Sequence, residues 1–86
     1  EKTAYAKQII EALGGPDNIL EVTNCMTRLR VSVKDAAHVQ GNDYFRSIGA
    51  HGVVKAGNAV QVIVGVNASF IRGTVNELLD SERSVS

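Results

Sequence analysis

The segment Asn24-Cys25-Met26-Thr27-Arg28-Leu29-Arg30 places a thiol, an amide, a hydroxyl and two guanidinium groups along one short stretch of chain. A free thiol with a pKa of about 8.5 is only a few per cent thiolate at neutral pH, and neighbouring guanidinium charge raises that fraction. A tight turn at such a position also aims backbone N–H groups outward as a small anion cradle. Thiolate, arginines, hydroxyl and amides together suit a sulfur that carries, or touches, a phosphoryl group. Arginine serves this better than lysine because its planar fork can take two phosphoryl oxygens at once. Each residue also has a plainer reading. A lone cysteine in a small domain is more often a buried hydrophobe than a nucleophile. Arg28 and Arg30 alone read as a solvated strand face with Glu21 as a cross-strand partner. Three features favour chemistry: Cys25 falls in a turn off the apolar parity, Asn24 and Thr27 flank it, and both arginines project from one side of the following strand.

The elements that must position these groups follow from periodicity. Tyr5, Ile9 and Leu13, with Ala6 and Ile10, recur at helical spacing behind a cap at Thr3, which predicts a helix over about Ala4 to Leu13, stopped by Gly14-Gly15-Pro16. From Ile19 the period is two: Leu20 and Val22 alternate with Glu21 and Thr23, and Leu29, Val31 and Val33 alternate with Arg28, Arg30 and Ser32. A hairpin centred on Cys25-Met26 pairs Val22 with Leu29 and Leu20 with Val31 on the apolar face, Thr23 with Arg28 and Glu21 with Arg30 on the other. Cys25 then stands at the tip with the arginines just below it. Asp35 caps a turn over Ala36 to Val39, and Asn42-Asp43 cap a short helix from Tyr44 to Ile48 ended by Gly49. Gly52 to Ala56 and Ala59 to Val64 flank Gly57-Asn58 as a second hairpin, with Gln61 opposite Val54 and Lys55 opposite Val60 on a solvated face. Asn67 or Ser69 caps a last helix with the stripe Phe70/Ile71, Thr74/Val75, Leu78/Leu79, and the polar stretch Ser81 to Ser86 is expected to fray. The expected fold is α+β: a four-stranded antiparallel sheet of two hairpins with three helices packed on one face, in the order α-β-β-α-β-β-α.

Composition narrows the possible functions. The chain has 86 residues, 9 basic against 9 acidic, 44% apolar, with a single cysteine. A chain of this size buries only about 60–65% of the surface its unfolded form exposes, enough for one modest core and not for a deep enzyme cleft. Any chemistry belongs near the surface. Zero formal charge disfavours a bare polyanion such as nucleic acid as partner. One cysteine forms no internal disulfide, which fits a reducing compartment. No stretch approaches the roughly 18–20 apolar residues of a membrane span, and Glu1-Lys2-Thr3-Ala4 does not open a signal peptide, so a soluble domain without direct membrane insertion is expected.

The runs Gly14-Gly15-Pro16-Asp17-Asn18-Ile19, Asn24-Cys25-Met26-Thr27-Arg28-Leu29-Arg30-Val31, Gly49-Ala50-His51-Gly52-Val53-Val54 and Val60-Gln61-Val62-Ile63-Val64-Gly65 closely resemble the enzyme IIB domain of the bacterial phosphoenolpyruvate-dependent sugar phosphotransferase system, glucose superfamily. The resemblance covers about Ala4 to Leu79, and its Cys-x-Thr-Arg-Leu-Arg motif is specific. Asn24, Val31-Ser32-Val33-Lys34-Asp35 and Gly49-Ala50-His51-Gly52 resemble the α-glucoside or maltose branch. The resemblance implies that residues 1–86 form one phosphocarrier domain with an ordered core over about 4–79. That domain takes a phosphoryl group from the phosphohistidine of enzyme IIA onto Cys25, as S-phosphocysteine, and passes it to a sugar held by the membrane enzyme IIC. Thr27, Arg28 and Arg30 are implied as phosphoryl-binding residues, with Arg30 bearing most on onward transfer, and Asn24, Met26 and Gln61 as residues lining the site. No cofactor and no metal are implied, and the domain is expected at the cytoplasmic face of a membrane sugar permease, with sugar specificity residing in enzyme IIC. Several glucose-specific members are acidic two residues before the cysteine, where this chain has Thr23.

Two readings from other classes compete. Gly49-Ala50-His51-Gly52 contains the Gly-x-x-Gly of KH domains, which clamp single-stranded RNA, but that loop must lead into a helix and here Val53-Val54 and a hairpin follow. Neutral charge and 5% aromatic content count against it as well. A thiol redox or cysteine hydrolase domain lacks both a Cys-x-x-Cys motif and a histidine placed as general base. His38 and His51, far from any Cys/His ligand pattern, read as surface residues.

Overall fold

The structure is a computed structural model that describes residues 2–84, with side chains described for 3–82. Helix α1 (Lys2–Ala12) leads through a 3-10 turn at Pro16–Asn18 into strands β1 (Ile19–Asn24) and β2 (Arg28–Val33). A 3-10 turn (Ala36–His38) and helix α2 (Asn42–Ser47) follow, then β3 (Gly52–Ala56), β4 (Ala59–Ile63) and the long helix α3 (Ala68–Ser84). The four strands form one antiparallel sheet in the order β1-β2-β4-β3, so β1 and β3 are its edges and the two hairpins meet along β2 and β4. The expected α+β order is the one observed.

Strand alternation sorts the sheet into two faces. Val22, Leu29, Val31, Val33, Val53, Val60 and Val62 are buried against Ile9, Ile10 and Leu13 of α1, Phe45 of α2, and Val75 and Leu79 of α3. Burying one such side chain stabilises the fold by roughly 1.5–3 kcal/mol, so this layer is what fixes the sheet relative to the helices. The other face carries Glu21, Thr23, Arg30 and Val54, all exposed, with Arg28 and Gln61 partly covered. Polar residues therefore collect on the uncovered side of the sheet, where a partner can reach them.

Helix α1 ends as its glycines dictate. Gly14 at φ +103 donates to the Glu11 carbonyl at 3.0 Å and Gly15 to the Ile10 carbonyl at 2.9 Å, the paired bonds of a Schellman cap. A Cβ on Gly14 would stand 2.7 Å from the Asn18 amide nitrogen. That amide is the buried polar hub of this end of the fold. Its Nδ2 donates to the Leu13 carbonyl at 2.8 Å and to the Asp35 carbonyl at 3.1 Å, and its Oδ1 accepts from the Asp35 N–H at 3.0 Å.

Several local expectations need correction. The first hairpin centres on Met26-Thr27 and not on Cys25-Met26: Val22 pairs with Val31, Thr23 with Arg30 and Asn24 with Leu29. Both registers keep the same residues on each face, so the alternation alone did not discriminate between them. A bulge between Ile19 and Glu21 makes Leu20 an extra residue, and it is 55% exposed where a core position opposite Val31 was expected. Thr3 lies inside α1 and not at its cap, because nothing in Lys2-Thr3-Ala4 opposes helix. Gly41, not Asn42, occupies the cap of α2, and Asn42 Oδ1 instead accepts from the Val53 N–H at 2.8 Å, serving edge strand β3. Lys55 is not simply solvated, since its Nζ donates to the Val39 carbonyl at 2.8 Å. Phe70 is 52% exposed, off the buried stripe. Helix α3 continues to Ser84 where fraying from Ser81 was expected, because no glycine or proline interrupts residues 80–84; residues 85 and 86 lie outside the described residues.

Candidate functional site

The corrected register decides where the thiol sits. With Met26-Thr27 at the turn, Cys25 is at its base, where its N–H donates to the Arg28 carbonyl at 2.9 Å. It is a free cysteine and partly exposed. The backbone N–H of Thr27 holds its thiol below the ordinary range, helped by the Arg28 N–H and the Arg30 guanidinium, while partial desolvation pushes the other way. The sulfur thus faces two backbone donors and one positive charge. An anion brought to it meets the same donors.

The two arginines are held differently. Arg28 Nη1 donates to Gln61 Oε1 at 2.9 Å, a bond from β2 to the neighbouring strand β4 that takes up one side of its fork. Arg30 stands opposite both Thr23 on β1 and Gln61 on β4. It lines a recess of about 170 Å³ on the open face with Glu21, Thr23 and Gln61. Cys25, Arg28, Arg30 and Gln61 are therefore brought to one end of the open face. Thr27 contributes through its backbone: its N–H faces the sulfur and its carbonyl accepts from Val64 at 3.0 Å and Gly65 at 2.9 Å. Met26 projects outward at the turn, 87% exposed.

The helix side supplies residues that the sequence did not single out. Val66 and Ser69 line an open depression of about 540 Å³ with Asn24, Cys25, Met26 and Thr27. Arg72 Nε donates to Asn24 Oδ1 at 2.8 Å, while Asn24 Nδ2 donates to the Cys25 carbonyl at 2.8 Å. Nothing in the local pattern announces a contact between residues 24 and 72, because it depends on α3 crossing the edge strand. The rest of the surface is plainer. His38 and His51 are exposed, and among the described residues no three His, Cys, Asp or Glu side chains converge as metal ligands. Gly49, at φ +110, caps α2 by donating to the Arg46 carbonyl while Ala50 donates to that of Phe45, and the loop enters strand β3. That removes the helix a KH-type clamp requires.

Sheet and turn together define a small α+β domain with a partly exposed cysteine at the base of a hairpin turn. Comparison with known proteins identifies the family. Residues 7–40 match the family described as phosphotransferase system, EIIB. The chain is 58% identical over 71 residues to the maltose-specific EIICB component of Bacillus subtilis (strain 168), covering 83% of this chain and 14% of that protein. It is 43% identical over 74 residues to the N-acetylglucosamine-specific EIIB component of Streptomyces coelicolor, covering 86% of this chain and 95% of that one. The crystal structure of one domain of a IIabc component from Clostridium difficile superposes with a TM-score of 0.70 at 28% identity, covering 98% of this chain and 82% of the other. The chain belongs to the EIIB family of the phosphotransferase system. It spans only 14% of the length of its maltose-specific relative. Among the described residues no helix is long and apolar enough to cross a membrane.

Proposed function

We propose that this chain is a phosphocarrier domain of a sugar uptake system, phosphorylated transiently on Cys25. The thiolate attacks the phosphorus of a phosphohistidine on the EIIA partner. The S–P bond forms as the N–P bond breaks, and the imidazole nitrogen keeps the electron pair and takes up a proton. In the second step a sugar hydroxyl, held by the membrane EIIC partner, attacks phosphorus and loses its proton, and sulfur leaves as thiolate. The observation that carries this reading is the placement of Cys25: partly exposed, facing the N–H groups of Thr27 and Arg28, with Arg30 beside it.

Phosphoryl transfer is mostly positioning and charge stabilisation, so a domain without a cleft suffices when each partner completes the site. Arg30, on the open face, accommodates the phosphoryl oxygens directly, and Arg28, steadied by Gln61, presents the remaining edge of its fork. The exposed Met26 and Val66 beside the thiol offer apolar contact to a docking partner. The family relationship, with EIICB fusions among the relatives, supports a membrane EIIC acceptor at the cytoplasmic face.

The test is incubation with a phosphorylated EIIA donor followed by mass-spectrometric mapping. The phosphoryl group is expected on Cys25 and absent from Cys25→Ser, whose melting should match the unsubstituted chain. Label that survives Cys25→Ser, or that never appears on the unsubstituted protein, rejects the reading.

A further inference from the structure

We propose that Arg72 is a positioning residue for Cys25, acting through the side-chain amide of Asn24. The inference rests on the reading of Cys25 as the reacting group. Asn24 uses both ends of its amide in one direction of transmission: Oδ1 accepts from Arg72 Nε at 2.8 Å and Nδ2 donates to the Cys25 carbonyl at 2.8 Å. The charged donor polarises the amide and so strengthens the bond its other end makes. It also selects the orientation in which Nδ2, and not Oδ1, faces the cysteine carbonyl. Holding that carbonyl fixes the Cys25–Met26 peptide plane, the first of the turn, from which the peptides bearing the N–H groups of Thr27 and Arg28 continue.

Edge strand β1 has a neighbouring strand on one side only, so its last residue needs support from elsewhere. Helix α3 supplies it twice. One turn beyond Arg72, Asn76 Nδ2 donates to the Val22 carbonyl at 3.3 Å. Asn76 ties the helix to the strand, whereas Arg72 reaches the residue next to the sulfur. The two contacts therefore separate a general tether from a relay. The charged groups around the turn are Arg28 and Arg30 on β2 and Arg72 on α3, with Glu21 further along β1 beside Arg30. Arg72 is thus a third positive charge at this end of the sheet, partly buried and held by a residue bonded to the cysteine backbone.

The test measures the rate of Cys25 alkylation by iodoacetamide against pH. Cys25 is the only cysteine of the chain, so the signal has one source, and no phosphoryl donor is involved. Arg72→Gln should move the midpoint toward that of a free thiol and slow alkylation at pH 7 by about three- to tenfold. Arg72→Lys, which keeps a cationic donor, should recover part of the loss. Asn76→Ala should leave the midpoint in place whatever it does to the melting temperature. In an Asn24→Ala background, Arg72→Gln should have little further effect. An unchanged profile in Arg72→Gln, or an equal shift with and without Asn24, overturns the relay. If Arg72→Gln does not fold, Asn24→Ala alone must reproduce the shift, and an unshifted profile there overturns it too. Because alkylation is read without EIIA, a relay seen in a protein that takes up no phosphoryl group would reject the carrier reading and leave the relay standing.

Discussion

The two hairpins of the sheet are built on opposite plans. In the β3–β4 hairpin the connection is Gly57-Asn58, with Gly57 at φ +61 and Asn58 on the negative side, as a type II′ turn requires. Its register matches the one expected from Gly57-Asn58, and Asn58 braces the segment leaving β2: its carbonyl accepts from the Val33 N–H at 3.0 Å, its Oδ1 from the Ala36 N–H at 3.0 Å, and its Nδ2 donates to the Lys34 carbonyl at 3.2 Å. The β1–β2 turn, Met26-Thr27, contains no glycine and is held from outside. Val64 and Gly65 donate to the Thr27 carbonyl, and Arg72 works through Asn24 on the Cys25 carbonyl. A turn held by its neighbours' polar groups can keep N–H groups directed at a sulfur without spending them on its own closure. The glycine-closed turn takes its shape from its own residues and lends the polar groups of Asn58 to residues 33–36, whereas the turn beside Cys25 takes its support from its neighbours.

The largest effect expected from this contrast is on the thiol itself. Because folding lowers the Cys25 pKa, chiefly through the Thr27 N–H, the folded chain should be alkylated several-fold faster at pH 7 than the chain unfolded in urea. The advantage should shrink above the ordinary thiol range near pH 8.5–9, where both forms ionise. By the same linkage, the group's contribution to stability is fully present above the unfolded pKa and is lost as pH falls through the lowered folded value. Equal rates in the two states at pH 7 would mean that the turn does not acidify the sulfur.

Matched glycine substitutions give the next effect. Gly65→Ala, at φ +91, and Gly57→Ala, at φ +61, should each cost about 1–2 kcal/mol in chemical denaturation, since both demand a left-handed backbone. Only Gly65→Ala should also slow alkylation, by a few-fold, because the Gly65 N–H clamps Thr27. A reactivity change of the same size in Gly57→Ala would erase the distinction between the hairpins. The smallest effect is expected for Gln61→Ala. It frees Arg28, and the lost bond should cost about 0.5–1.5 kcal/mol at most. Alkylation should stay within about twofold of the parent, while phosphoryl uptake from EIIA falls further because the guanidinium is no longer aimed. Undiminished uptake would remove Gln61 from the site.

Much of this was legible before any coordinates. Alternation of apolar residues in 28–33 and 59–63 marked the buried face, Gly57-Asn58 placed the second hairpin, and the cysteine with its two arginines marked the chemistry. Less legible was the exact pairing of the first hairpin. Shifting it by two residues on one strand preserves every inward and outward position, so hydrophobic patterning is blind to the choice. The bulge at Leu20 was hidden for a related reason: an apolar residue at the start of an alternating run looks like a core residue until the partner strand shows one position too few for it.

What the sequence determined by itself is therefore the set of parts: which residues face the core, where glycine stops a helix or turns a strand, and which side chains can hold an anion. These follow from interactions between near neighbours, whose range is a turn of helix or a step of strand. The tertiary structure alone decided how those parts meet. It set Cys25 at the base of its turn and brought Gln61 to Arg28. It carried Arg72 across 48 positions of sequence to Asn24. Those contacts are directional bonds between residues distant in sequence, and they come into existence only when the buried layer has fixed the helices against the sheet.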